Sequence, residues 1–206
     1  MKNIIYFLLL IVFFGLSSCA DFTKVMYTKT KSIPVNYQIN INGDFNEEKY
    51  INEYDLEKSF DVPKYAKIEK VNINSVTLNL VKLPETDASL LDLEVKLIVR
   101  TLEGNTINYN LVEKAKYDVL PIGLFDLNKL LDSKGVEAIR QFIQKVVDPV
   151  SSPGSTTARV TLKGRAHSLI NEPETIKANM TLNINATITF SRCEVVEFPI
   201  FGNDCD

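Results

Sequence analysis

Residues 177–190 alternate without a slip. Ala178, Met180, Leu182, Ile184, Ala186, Ile188 and Phe190 fall on one side of a period-2 pattern, and Lys, Asn and Thr fill the other. Successive side chains of a strand point to opposite faces, so this stretch is a β-strand with one dry face and one wet face. A helix would need apolar spacings of three and four. At about 3.3 Å per residue the run reaches roughly 43 Å, long for a strand. Burial of its larger apolar side chains is worth about 1.5–3 kcal/mol each before ordering entropy is subtracted. A chain containing this beam is β-rich and needs a second apolar surface to cover it.

Other segments repeat the pattern. Val35, Tyr37, Ile39 and Ile41 alternate with polar residues, and Asn42-Gly43-Asp44 reads as a turn. Residues 45–62 alternate poorly, and Tyr50–Asn52 with Leu56–Phe60 are expected as an edge strand. Val76, Leu78 and Leu80 form a strand whose phase slips at Asn74-Ser75, which implies a bulge or a turn. Leu91 to Val99 and Ile107 to Leu111 read as a hairpin around Glu103-Gly104-Asn105, and a short strand is expected over 116–120. Ala158 to Ala166 carries small residues on its dry face and is expected to form a second long hairpin with the beam. Between these strands the period changes to three and four. Leu127, Leu130 and Leu131, then Ile139, Phe142, Ile143 and Val146, read as two short helices separated by Gly135, with Asp126 as N-cap. About eight strands with one dry face each and a helical insertion near 126–148 predict a mainly β fold, an antiparallel two-sheet β-sandwich. The alternative is an α+β fold in which helices cover one antiparallel sheet.

The chain begins Met1-Lys2-Asn3, followed by an apolar run to Gly15 and then Leu16-Ser17-Ser18-Cys19. The run is too short to cross a bilayer comfortably and has the layout of an export signal. Its end resembles the lipobox of bacterial lipoproteins: a Leu, two small residues and a Cys. The resemblance covers residues 1–19. It implies removal of residues 1–18, acylation of Cys19 and a polar tether over 19–32, leaving a single β-rich domain over 33–206. It also implies lipid anchoring to a bacterial membrane, with the outer membrane expected and the periplasmic and surface sides both open. Each buried acyl CH₂ holds the protein by roughly 0.8 kcal/mol.

The formal charge of −3 becomes −4 once Lys2 is removed with the signal. This balance, without clustered Lys and Arg, argues against nucleic acid as a partner. Cys193 and Cys205 are an even pair in an exported chain, and a disulfide between them is expected. That bridge would stabilise by around 3 kcal/mol on the chain-entropy model.

Catalytic chemistry has little support. The single histidine, His167, lies out of phase with its strand's apolar face and is expected to point to solvent, and no Gly-x-Ser-x-Gly elbow is present. With one His and two Cys expected to pair, a zinc site of ordinary composition is not available. Asn42, Asp44, Asn46 and Glu48 faintly resemble a calcium loop, but Glu47 stands where that loop needs Gly, so a polar turn is expected. No cofactor is expected. The leading expectation is a non-catalytic, membrane-tethered interaction module for an envelope or extracellular component. The alternatives are a carrier for a lipid or other apolar ligand, with the small face at Gly164 and Ala166 beside a gap between sheets, and a hydrolase of unfamiliar type.

Overall fold

A computed structural model describes residues 22–100, 105–148 and 157–195. They divide into a main body, Tyr27–Phe190, and a second unit comprising the described residues up to Met26 and from Ser191 onward. The second unit holds Cys193 and an Arg192–Glu194 ion pair. Cys19, Cys205 and the Glu103-Gly104 part of the expected hairpin loop lie outside the described residues.

Eight strands and two α-helices occur among the described residues. In chain order they are β1 (Phe22–Asn42), β2 (Asp44–Ile51), α1 (Glu53–Phe60), β3 (Lys67–Lys82), β4 (Leu90–Arg100), β5 (Thr106–Asp118), β6 (Ile122–Asp126), a 3₁₀ turn (Asn128–Leu130), α2 (Ser133–Val147), β7 (Thr157–His167) and β8 (Thr175–Val195). They form two four-stranded sheets of order β1-β8-β3-β6 and β2-β7-β4-β5. The fold is a mainly β, antiparallel two-sheet β-sandwich, and the α+β alternative is set aside.

The beam is β8, an interior strand. Its alternate residues from Ile176 to Phe190 are all buried, and Leu91, Leu93, Val95 and Leu97 of β4 are buried on the facing sheet. Tyr37 binds the layers together: its hydroxyl donates to the Val160 carbonyl at 2.9 Å. Burial pushes that hydroxyl's pKa well above its ordinary value.

Several expectations need correction. The 158–190 hairpin does not form, because the 168–174 connection crosses between layers and puts β7 and β8 in different sheets. The stretch 22–32, expected as a tether, is strand. Leu56–Phe60 is helix. Asn52 caps α1 by accepting from the backbone N–H groups of Tyr54 and Asp55, and Leu56 and Phe60, one turn apart, face the core. Gly135 does not separate two helices; it lies inside α2, where a Cβ would sit 2.0 Å from the carbonyl oxygen of Asn110. The first expected helix is only the 3₁₀ turn Asn128–Leu130, whose N-cap position is Leu127. Asp126, expected as its N-cap, accepts from the Asn128 N–H, and α2 is capped by Asp132. The slip at Asn74-Ser75 occurs within continuous β3, whose buried side moves from Val71 to Val76. Both residues therefore face β8, where Asn74 donates to Thr187 at 2.6 Å and Ser75 accepts from Asn185 at 2.8 Å. That is the behaviour of a bulge.

Candidate interaction face

The alternation of β2, β7, β4 and β5 turns one set of side chains outward, and the registers place opposite charges beside one another. Asp44 pairs with Arg165, Arg165 with Asp92, and Asp92 with Lys116, so one row crosses all four strands. In the next row Asn46, Lys163 and Glu94 stand side by side. Toward the other end, Arg159 reaches Glu48 at 2.8 Å and lies 5.7 Å from the centre of the Tyr50 ring. Cross-strand charge pairs of this kind contribute roughly 0.2–1 kcal/mol each and set the register of polar strands. An open groove of about 400 Å³ runs through the first two rows, walled by Asp44, Asp92, Glu94, Lys114, Lys163 and Arg165.

Asp92 is the most engaged of these groups. Lys114 lies 3.2 Å from one carboxylate oxygen and His167 Nε2 lies 3.5 Å from the other. Burial works to raise the Asp92 pKa, but the hydrogen bonds and charges of Lys114 and His167 outweigh it and hold the carboxyl below its ordinary value. His167 is fully buried, which corrects the expectation that it faces solvent. It does lie out of phase with the core, as its position on β7 requires. The 168–174 connection closes over it, with a bridge to Pro173, and the Ser89 N–H bonds its carbonyl. The Ser168 carbonyl 2.8 Å from Nδ1 only accepts, so Nδ1 carries a hydrogen.

The small-residue stretch of β7, expected to border a gap between the sheets, meets an aromatic ring at Gly164. A Cβ on Gly164 would meet the Phe45 ring at 2.4 Å and the Asp92 carbonyl oxygen at 2.6 Å. Phe45 of β2 thus fills the space that Gly164 leaves.

The opposite outward face, on β1, β8 and β3, carries almost no charge. Hydrogen bonds between side chains run across it: Thr30 with Thr187 at 2.8 Å, Thr181 to Asn36 at 2.8 Å, and Asn185 to Ser75 at 2.8 Å. Among the described residues no three His, Cys, Asp or Glu side chains converge as a metal site, and Asp44, Asn46 and Glu48 are spread along β2.

Neither Lys114 and Lys163 nor the burial of His167 was foreseen. The outward phases of residues 92–96 and 159–165 are readable in the sequence, but the β4–β7 pairing that brings them together is not.

No protein-family model and no curated protein matches the chain. Among solved structures, similarity is found to infectious bursal disease virus Gx strain (8% identity, TM-score 0.29, 82% of this chain and 36% of that chain). It is also found to the empty head of turnip yellow mosaic virus (7%, TM-score 0.30, 84% and 86%). A third is desmodium yellow mottle tymovirus (6%, TM-score 0.30, 84% and 93%). The chain spans about a third of the bursal disease virus chain that it matches. At these TM-scores the likeness carries no argument about function.

Proposed function

We propose that this chain is an exported lipoprotein, held to a bacterial membrane by acylated Cys19, that works as a non-catalytic interaction module. The observation that carries the binding part is the β2-β7-β4-β5 face, where one row of alternating charge crosses all four strands beside an open groove. Charges fixed in register select a complementary partner and disfavour a mismatched one more than they add affinity. The anchoring part is supported by the Leu16-Ser17-Ser18-Cys19 string and the apolar run before it.

Two competing readings gain nothing from the geometry. A carrier drew on the small residues of β7, and the Phe45 ring occupies that space. A hydrolase built on the groove would need a carboxylic acid whose pKa is raised, whereas Asp92 is held ionised between two partners and His167 is sealed from solvent.

The anchoring test is fractionation of cells producing the wild type or Cys19→Ser. The wild type is expected in the membrane fraction, resistant to high salt and released by detergent, and the variant in the soluble fraction. Identical partitioning of the two would contradict the proposal. Protease treatment of intact cells then assigns the periplasmic or the surface side.

A further inference from the structure

The strands of the main body run between two ends. One is a rim formed by the connections 83–89 and 168–174, where β3 finishes, β8 begins and the Leu83 N–H bonds the Lys177 carbonyl at 2.8 Å. The opposite end holds Tyr27 and Phe190, the first and last residues of the body, whose rings stack with centres 5.5 Å apart. From Tyr27 the sequence runs back to Cys19 through residues 20–26. Eight residue steps of at most about 3.6 Å each keep this entry end within about 29 Å of Cys19.

The connection from α1 to β3 lies at the entry end, because β3 starts beside it and finishes on the rim. Lys29, two residues into the body, fastens it. Its ammonium donates to the Asp61 carbonyl at 2.6 Å and lies 3.6 Å from the Asp61 carboxylate. Pro63-Lys64-Tyr65-Ala66 then forms a β-turn, closed by the Ala66 N–H donating to the Pro63 carbonyl at 2.9 Å, with Ala66 buried. Tyr65 is 96% exposed on this turn, between exposed Lys64 and Lys67. Lys31 and Lys58 line an open pocket of about 390 Å³ alongside, with Asp61. Asp61 is taken by Lys29, Glu53 of α1 is offset by Lys145 of α2, and Glu69 has a partner of its own. On β1, α1 and the connection, that leaves Asp55 and Glu57 as the unpaired acids. Among the described residues Lys31, Lys58, Lys64, Lys67 and Lys70 form no ion pair.

We infer that the Lys64–Tyr65 turn docks on the bilayer that holds Cys19, with the Tyr65 ring at the level of the headgroups and Lys64 and Lys67 on anionic lipid. The body then stands end-on, with the rim pointing away from the membrane. The inference rests on the lipoprotein reading and adds the surface that meets the lipid. The short reach from Cys19 fixes the occupant, because it keeps the entry end beside the bilayer. A Tyr ring suits that boundary, with an apolar body and a hydroxyl that stays wet. Lysines without a carboxylate partner are attracted to an anionic surface within a Debye length, about 8–10 Å at ordinary salt. The acyl chains hold the protein to the membrane, and the turn sets its orientation.

The chain has no Trp, so single-Trp variants of the membrane-extracted protein report position. Tyr65→Trp marks the turn, and Leu169→Trp marks the rim as a control. Each is reconstituted in phosphatidylcholine–phosphatidylglycerol vesicles that contain brominated phosphatidylcholine. The expected result is blue-shifted emission with strong quenching at position 65 and neither at position 169. Leaving out phosphatidylglycerol should cut the quenching at 65 about fivefold or more, and so should adding Lys64→Glu and Lys67→Glu. The lipid change needs no further substitution, so it decides the matter even where the charge-reversed variant folds poorly. Absent quenching at 65 in protein whose mass shows acyl chains overturns the docked turn and leaves the lipoprotein reading standing. Quenching at 65 that is equal with and without phosphatidylglycerol also overturns the inference, because lysines would then not select the surface. Quenching at 169 in place of 65 overturns the orientation. Protein that carries no acyl mass overturns the lipoprotein reading and this inference with it.

Discussion

The Tyr37 hydroxyl of β1 donates to the Val160 carbonyl of β7 across the dry interface between the two sheets, at 2.9 Å. It is a polar contact inside an otherwise apolar layer, so removing it leaves a buried carbonyl without that donor. Tyr37→Phe keeps the ring and deletes only the hydroxyl. The expected loss is about 1–2 kcal/mol, read as a lower urea midpoint with an unchanged slope.

Gly135→Ala sets two effects against each other. Replacing a helical Gly by Ala is worth up to about 1 kcal/mol in propensity. Here, however, the new Cβ would lie 2.0 Å from Asn110 O and 2.8 Å from the Leu111 Cα, both backbone atoms of β5. Overpacking against atoms that cannot rotate away costs roughly 1–3 kcal/mol or more, so the clash wins. Thermal melting should show a net destabilisation; an unchanged or higher Tm would mean that α2 does not sit this close to β5.

Asn52→Ala and Asp132→Ala each remove an N-cap, the former from α1 and the latter from α2. Asp132 accepts from the N–H groups of Lys134 at 2.9 Å and Gly135 at 3.0 Å. Each variant should lose about 1 kcal/mol. The two caps share no partner, so the double variant should lose close to the sum, as a urea melt would read it.

Asp92 makes stability depend on pH in a definite direction. Its folded pKa is depressed by Lys114 and His167 despite burial. The unfolded chain therefore binds the proton more readily than the folded one. The contribution is complete above the ordinary Asp value of about 3.9 and is lost as pH falls through the lower folded value. Asp92→Asn should flatten that acid limb in urea melts taken at successive pH values, while the wild type keeps it.

The sequence exposed the strands wherever one face is dry and the other wet. The beam and the slip at Asn74-Ser75 were legible from period, and the turn at Gly43 from its Asn-Gly-Asp residues. Where a short segment buries only two residues, period is ambiguous. Leu56 and Phe60 fit a helix or a ragged edge strand, and the usable signal was Asn52 followed by Glu53 and Asp55 in the first turn. His167 marks a different limit. Its phase correctly put it on the outward side of β7, but phase does not say whether a later connection folds over that side. Gly135 marks a third. A glycine that breaks a helix and one that lets a helix approach a strand look alike until the strand is placed. The charged face was half legible, because the outward residues of each strand were known but not which strands pair.

The tethered module stands or falls on Cys19, and intact-mass spectrometry of detergent-extracted protein tests it most directly. The account predicts a 188-residue chain that starts at Cys19 and carries covalent acyl chains, with no acylated product from Cys19→Ser. A chain that still begins at Met1, or that starts at another residue without added acyl mass, would contradict it.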